Sequence, residues 1–221
     1  MTQTIDVNRL EAVLFDFDGV VVQSEAVYDR ATSKLGALYN ATVPEDFFEA
    51  NRGIAEALFY ERFKRDLNLD VDLEDLSGNG QRLLWEEFAS SVEYTPGFHS
   101  FYTRVRATVP HVGLVTATPR PLIERIFGNS QIDVKFDQMI TASDVVRTKP
   151  DPEPYAKMCQ LLGVSAKHAL VIEDSPTGLR SATLAGCQTV AITTSCTRDS
   201  LKEANFVVDS FGELEELLTT V

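Results

Sequence analysis

From residue 94 onward the chain repeats one pattern: a short apolar run rich in β-branched residues, then a segment whose apolar residues recur at helical spacing. The runs Val112-Gly-Leu-Val-Thr116, Ala169-Leu-Val-Ile172, Thr189-Val-Ala-Ile192 and Phe206-Val-Val208 read as strands, with a shorter one over 136–141. Helices are predicted from Pro119 to about Phe127, Pro152 to about Leu162, Pro176 to about Ala185, and Gly212 to Leu218. Strands that alternate with helices imply a parallel sheet covered on both faces. The predicted fold class is therefore α/β, a Rossmann-like parallel sheet with helices on both sides.

The first strand of that sheet lies much earlier, in Glu11-Ala-Val-Leu-Phe-Asp-Phe-Asp-Gly19, an apolar run that enters alternating Asp and Phe and ends in a turn. From about Ser24 to about Ser91 the texture changes. Leu58, Phe59, Phe63 and Leu67, and then Leu83, Leu84 and Phe88, recur at helical spacing, and β-branched runs are few. This predicts a helical domain over 23–93, inserted into a core made of 1–22 and 94–221, with a hinge near Tyr94-Thr-Pro-Gly97. A chain of 221 residues can supply such a core without disulfides or a structural metal.

The charge balance narrows the function. With 33 acidic and 20 basic side chains the formal net charge is −13, which argues against nucleic acid or an anionic membrane as the main partner. It does not exclude a phosphorylated metabolite, because one lysine and a metal ion can invert the field inside a single cleft. The N-terminus lacks a basic region followed by an apolar one, and no apolar stretch approaches the roughly 20 residues a membrane helix needs. Cys159, Cys187 and Cys196 are odd in number and lack metal-ligand spacing. Reduced thiols, a cytoplasmic location, and a monomer or weak homodimer are the expectations.

Chemistry concentrates at the strand ends. Asp16 and Asp18 are two residues apart, so in an extended chain they share one face, roughly 6.6 Å apart along it. Two carboxylates after a buried run are costly unless a cation compensates them, and hard oxygen ligands point to Mg²⁺. Gly19 allows a sharp turn beside them. On its own this motif fits an exposed acidic turn or a calcium loop equally well. Glu173 and Asp174 end a second apolar strand, Thr116 ends a third, and Lys149 follows the short strand over 136–141. Acids for a metal, a hydroxyl donor and a compact positive charge together form a phosphoryl-transfer set. Three cap-proline pairs, Thr118-Pro119, Asp151-Pro152 and Ser175-Pro176, add helix starts whose free N–H groups favour an anion.

With those segments in view, the chain resembles the haloacid dehalogenase-like superfamily, in the branch with a helical cap after the first strand. Asp16-Phe-Asp-Gly-Val-Val-Val, Val115-Thr116, Lys149-Pro-Asp-Pro and Val171-Ile-Glu-Asp-Ser-Pro-Thr-Gly178 carry the resemblance, in the family's order and across the whole core. It implies that Asp16 attacks phosphorus to give an aspartyl phosphate and that Asp18 protonates the leaving oxygen, then activates water. It implies further that Thr116, the adjoining Ala117 and Lys149 hold the phosphoryl group. Mg²⁺ would be bound by Asp16, the main-chain carbonyl of Asp18, and Asp174, with Glu173 close by. Arg52 and Gly53, in the inserted domain, are candidates for reading the substrate.

Within the family, Asp18 disfavours dehalogenation, since the dehalogenases lack the second Asp, and phosphonate-cleaving members lack the pair. The fourth motif is similar to that of β-phosphoglucomutases. Those mutases carry His ten residues after the acid/base Asp, where this chain has Tyr28. They carry Arg three residues after a cap glycine; if that glycine is Gly53, this chain has Glu56. The expected activity is therefore hydrolysis of a small phosphate monoester, with a phosphosugar mutase as the alternative. A domain that binds a phosphorylated ligand without turnover is the alternative from another class.

Overall fold

The apolar runs of the second half and the first run all enter one sheet. The computed structural model describes residues 4–51, 54, 56–129 and 132–219. In chain order the strands and α-helices are β1 (Ile5–Asp6), β2 (Ala12–Phe15), α1 (Glu25–Leu38), α2 (Glu45–Ala50), α3 (Glu56–Asp66) and α4 (Leu73–Ser91). They continue with α5 (Phe98–Thr108), β3 (His111–Val115), α6 (Arg120–Asn129), β4 (Gln138–Ile140), α7 (Glu153–Leu162) and β5 (Ala169–Glu173). The last are α8 (Pro176–Leu184), β6 (Gln188–Ile192), β7 (Phe206–Val208), α9 (Phe211–Leu217) and β8 (Leu218–Thr219). The chain divides into two compact units, Met1–Gln23 with Glu93–Val221, and Ser24–Val92.

The larger unit holds a six-stranded, all-parallel sheet in the order β4-β3-β2-β5-β6-β7. β2 is central: Ala12 pairs with His111 on one side and Ala169 on the other, and Phe15 with Leu114 and Ile172. From β2 the sheet grows through β3 to β4, and from β5 it grows the opposite way through β6 to β7. β2 and β5 therefore flank the point where the winding reverses, and open α/β sheets leave a crevice at the carboxyl ends there.

The period-2 alternation of β2 explains why helices are needed on both faces. Ala12 and Leu14 join a core with Tyr155, Met158 and Cys159 of α7 and Ala182 of α8. Phe15 points the other way and meets the rings of Phe98, Phe101 and Tyr102 of α5 at centroid distances of 5.4, 6.2 and 6.4 Å. The Rossmann-like layering predicted from the sequence is the one observed.

Three details differ from expectation. β4 covers only Gln138–Ile140, because Phe136 turns into the aromatic cluster against Phe15 and Phe127. The final helix starts one residue early, at Phe211, where the Ser210 side chain accepts from the Glu213 N–H. The helix α5 and the two-residue pair β1–β8 lie beyond the expected elements. Two residues are too few to show a period, whereas α5 buries Phe98, Phe101, Tyr102 and Val105 at helical spacing.

Among its described residues the smaller unit is built from the helices α1 to α4 and the turns that join them. Leu35, Phe47, Tyr60, Phe63, Leu76 and Leu83 form its core. Glu87 of α4 is buried there and is engaged by Arg30 at 2.8 Å and by Lys34, both from α1. These bonds hold its carboxyl below the usual range, the Lys34 contact contributing most.

Phe15 is the ring on which the α5 face of the sheet closes, and it is fully buried. Phe15→Ala is expected to cost about 3–5 kcal/mol of unfolding free energy, as cavity formation at such sites does. Urea unfolding measures this, and a loss below about 1 kcal/mol would contradict the packing described.

Candidate active site

The acidic side chains gather where the winding reverses. The Asp16 N–H donates to the Ile172 carbonyl at 3.0 Å, which carries the ladder one residue past β2. Beyond Asp16 the chain leaves the extended conformation, so Asp18 does not share a strand face with Asp16 as the spacing predicts. Instead Val21 and Val22 N–H groups donate to the Phe17 carbonyl at 2.9 and 3.1 Å, and Gly19 N–H to Val22 at 2.8 Å, closing a tight turn. Gly19 has φ of +71°, and a Cβ there would lie 1.8 Å from Asp174 Oδ2. Both the left-handed backbone and the close approach require glycine.

Lys149 enters from the loop between β4 and α7, and its side chain is only 6% exposed. Its Nζ donates to Asp16 Oδ1 at 2.7 Å, Glu173 Oε1 at 2.6 Å and the Val115 carbonyl at 2.9 Å. All three ammonium donors are thereby used. Glu173, with no exposed surface, also accepts from Tyr155 Oη at 2.7 Å, Ser175 Oγ at 3.0 Å and the Asp174 N–H at 3.3 Å. A Cβ at Gly178 would sit 1.9 Å from Glu173 Oε1, so the start of α8 presses its backbone against this carboxylate.

Burial and like charge dominate the electrostatics. Desolvation pushes the Asp16 carboxyl well above its ordinary range; Glu173 adds to this, Lys149 opposes it, and Asp174 and Asp18 add further. Asp174 is pushed up to about 7, by burial first and then by Glu173, with the Ser195 hydrogen bond pulling back. Burial alone would lower Lys149, but Asp16 and Glu173 prevail and hold its ammonium more firmly protonated than usual. Carboxylate oxygens of Asp16, Glu173 and Asp174 lie within 4.8 Å of one another. One ammonium against three buried carboxylates leaves negative charge in excess, and an all-oxygen donor set suits a hard divalent cation. The residues present fit such an ion.

Hydroxyl groups complete the rim. Thr116 follows β3, is 3% exposed, and its Oγ1 accepts from the Thr118 N–H at 2.9 Å. Ala117 is exposed at the top of that turn. Thr118 was expected as the cap of a helix beginning at Pro119, yet α6 starts at Arg120. The Thr118 hydroxyl instead donates to Asp18 Oδ2 at 2.7 Å. Ser195, beyond β6, donates to Asp174 Oδ2. Of the other two cap pairs, Ser175 behaves as expected, its Oγ accepting from the Gly178 N–H at 3.1 Å, whereas α7 starts at Glu153 with Pro152 at its cap, and Asp151 Oδ1 accepts from the Glu153 N–H at 3.0 Å from one position earlier.

The structure thus brings Asp16, Asp18, Thr116, Lys149, Glu173 and Asp174 to the carboxyl edge of one sheet. It adds Thr118, Tyr155 and Ser195, which the sequence reading did not assign to the site. For Thr118 and Ser195 the available signal was a hydroxyl residue within three positions of a strand end. Arg52 and Gly53 lie outside the described residues. The histidines sit elsewhere, each beside a surface acid: His168 with Glu11, His99 with Asp133 and His111 with Asp137.

The chain is similar to known proteins in sequence and in fold. The sequence profile of the haloacid dehalogenase-like hydrolases matches residues 13–192. A phosphorylated carbohydrates phosphatase of Thermotoga maritima is 28% identical over 82% of this chain and 84% of its own length. Hexitol phosphatase A of Escherichia coli K12 is 28% identical over 93% and 94%. The solved structure of CbbY from Rhodobacter sphaeroides, in complex with phosphate, superimposes with a TM-score of 0.75 at 24% identity, covering 93% of this chain and 96% of that one.

A carboxyl whose proton affinity is raised by folding stabilises the protein below its unfolded pKa, and that contribution is lost as pH rises through the folded one. For Asp174 this window runs from 3.8 to about 7. With divalent cations chelated, Asp174→Asn is therefore expected to melt several degrees above the wild type at about pH 8 and to lose that advantage by about pH 4. An advantage that does not change with pH would contradict the electrostatics described.

Proposed function

Because the chain belongs to the haloacid dehalogenase-like hydrolase family, we propose that it is a phosphatase that hydrolyses small phosphate monoesters, sugar phosphates or close analogues, through a covalent intermediate on Asp16. The observation that carries this reading is the clamp of Lys149 on Asp16 and Glu173, set beside Asp18 on its own turn. Asp16 is the nucleophile. Lys149 fixes its orientation and opposes the rise in its proton affinity, which suits a carboxylate that must attack rather than accept a proton. One of its oxygens forms a bond to phosphorus as the bond from phosphorus to the leaving oxygen breaks, and Asp18 gives that oxygen its proton. Asp18, now a base, takes a proton from water, whose oxygen attacks phosphorus and releases Asp16 with inorganic phosphate.

Thr116 and Ala117, on the turn past β3, hold the transferring phosphoryl group, and the Lys149 ammonium, its three donors taken by Asp16, Glu173 and the Val115 carbonyl, contributes its charge. A divalent cation, assigned as Mg²⁺, would be held by Asp16, the Asp18 carbonyl and Asp174, and supplies neutralisation of charge on the phosphoryl oxygens. Glu173 has both oxygens occupied by Lys149, Tyr155, Ser175 and its own neighbour, so its part is to anchor Lys149.

The relatives whose names specify phosphorylated carbohydrates and hexitol phosphates support a sugar phosphate as substrate. Water as the acceptor is favoured over a second sugar hydroxyl by two residues of the helical unit. Tyr28 stands where the mutases have His, and packs edge-on against Phe88 at 5.7 Å. If Gly53 is their cap glycine, Glu56 stands where they have Arg, and it accepts from Gln81 Nε2 at 2.8 Å.

The test is a phosphate-release panel of sugar, polyol, nucleotide and small organic phosphates with Mg²⁺. Sustained release from at least one sugar or polyol phosphate is expected, and Asp16→Asn is expected to lower it more than about 1,000-fold. Isomerisation of a sugar phosphate without net release would establish the mutase instead, and full turnover by the Asn variant would remove Asp16 from the mechanism.

A further inference from the structure

Asp18 sits in a turn rather than on a strand, and such a side chain needs an external partner to hold it in one orientation. The turn is closed by backbone bonds from Val21 and Val22 to Phe17 and from Gly19 to Val22. A side-chain partner for Asp18 comes from 100 residues away: Thr118 Oγ1 donates to Asp18 Oδ2 at 2.7 Å. Thr118 is 4% exposed and held independently of that contact. Its N–H donates to Thr116 Oγ1 at 2.9 Å, and its carbonyl accepts from Ala142 N–H at 3.4 Å. A β-branched side chain on a backbone pinned on both sides has little rotamer freedom, so its hydroxyl is presented at a fixed place.

We infer that Thr118 is the positioning residue for the acid/base Asp18. The same turn also carries Thr116, so one short segment after β3 sets both the phosphoryl-holding group and, through Asp18, the group that serves the leaving oxygen. Linking the two in one rigid turn fixes the distance between the phosphorus site and the proton donor, the separation general acid catalysis depends on. The inference rests on the proposed acid/base role of Asp18.

A defect in proton delivery has a signature that a general loss of structure lacks. It penalises leaving groups that need a proton and spares those that depart as stable anions. The measurement is kcat/KM, which reports the first chemical step, for p-nitrophenyl phosphate, phenyl phosphate and the best sugar phosphate of the panel. Thr118→Val and Thr118→Ala are expected to lose about 10- to 100-fold on the sugar phosphate, less on phenyl phosphate, and under about 3-fold on p-nitrophenyl phosphate. Thr118→Ser, which keeps the hydroxyl, is expected to restore the wild-type pattern. Asp18→Asn serves as the reference and is expected to show the same selectivity more strongly.

Equal losses on all three substrates, or no loss on any, in folded Val and Ala variants would overturn the role of Thr118 while leaving that of Asp18 intact. If the Asp18→Asn variant itself shows no leaving-group selectivity, the acid/base assignment fails and the inference falls with it.

Discussion

One ammonium group holds this site together. Lys149 lies almost fully buried between Asp16 and Glu173 and bonds also to the Val115 carbonyl, so a single side chain ties together residues that follow or end β2, β3 and β5. Burying such a charge is costly, and breaking a buried pair by removing one partner typically costs about 3–5 kcal/mol. The surroundings accordingly leave little of it to chance. Tyr155 and Ser175 satisfy the remaining acceptor capacity of Glu173, and Gly178 allows the backbone of α8 to close over it. These supports come from α7 and α8 and their caps, so the packing of the sheet and the geometry of the site are one construction.

The parallel sheet supplies the place. Its winding reverses between β2 and β5, and the crevice that this leaves receives Asp16 from one strand and Glu173 and Asp174 from the other. Burial, and with it the excess of negative charge, raises the proton affinities of Asp16 and Asp174. A divalent cation, as the family generally uses, would answer that excess, with Lys149 meeting part of the charge and the clustered carboxylate oxygens of Asp16, Glu173 and Asp174 offering hard ligands for the rest.

Much of this was legible in the residues. The strands were readable because each is a continuous apolar run, and the acids because each follows such a run. Asp16, Asp18, Thr116, Lys149, Glu173 and Asp174 stand out in the sequence as polar residues at or past apolar runs, and the fold places them at one sheet edge. What periodicity could not convey is how side chains pair across the fold. Thr118 reads as a helix cap, since a hydroxyl before proline is a common helix start, yet its hydroxyl serves Asp18. Tyr155 reads as one apolar residue of an amphipathic helix, and only the fold brings its hydroxyl to Glu173. For Asp16 and Asp18 the residues are legible but their geometry is not. Their spacing suggested one strand face, whereas a glycine turn is what brings them together. Arg52 and Gly53 depend on tertiary placement that the described residues do not include.

The central claim is that Asp16 becomes covalently phosphorylated. Its most direct test is rapid acid quench of the enzyme during turnover of its best sugar phosphate, followed by peptide mass spectrometry. The expected result is one phosphoryl group on the peptide that contains Asp16, formed no later than the first phosphate is released and decaying once substrate is exhausted. A substrate turned over with no phosphoryl adduct at any quench time, or with the adduct on another residue, would contradict it.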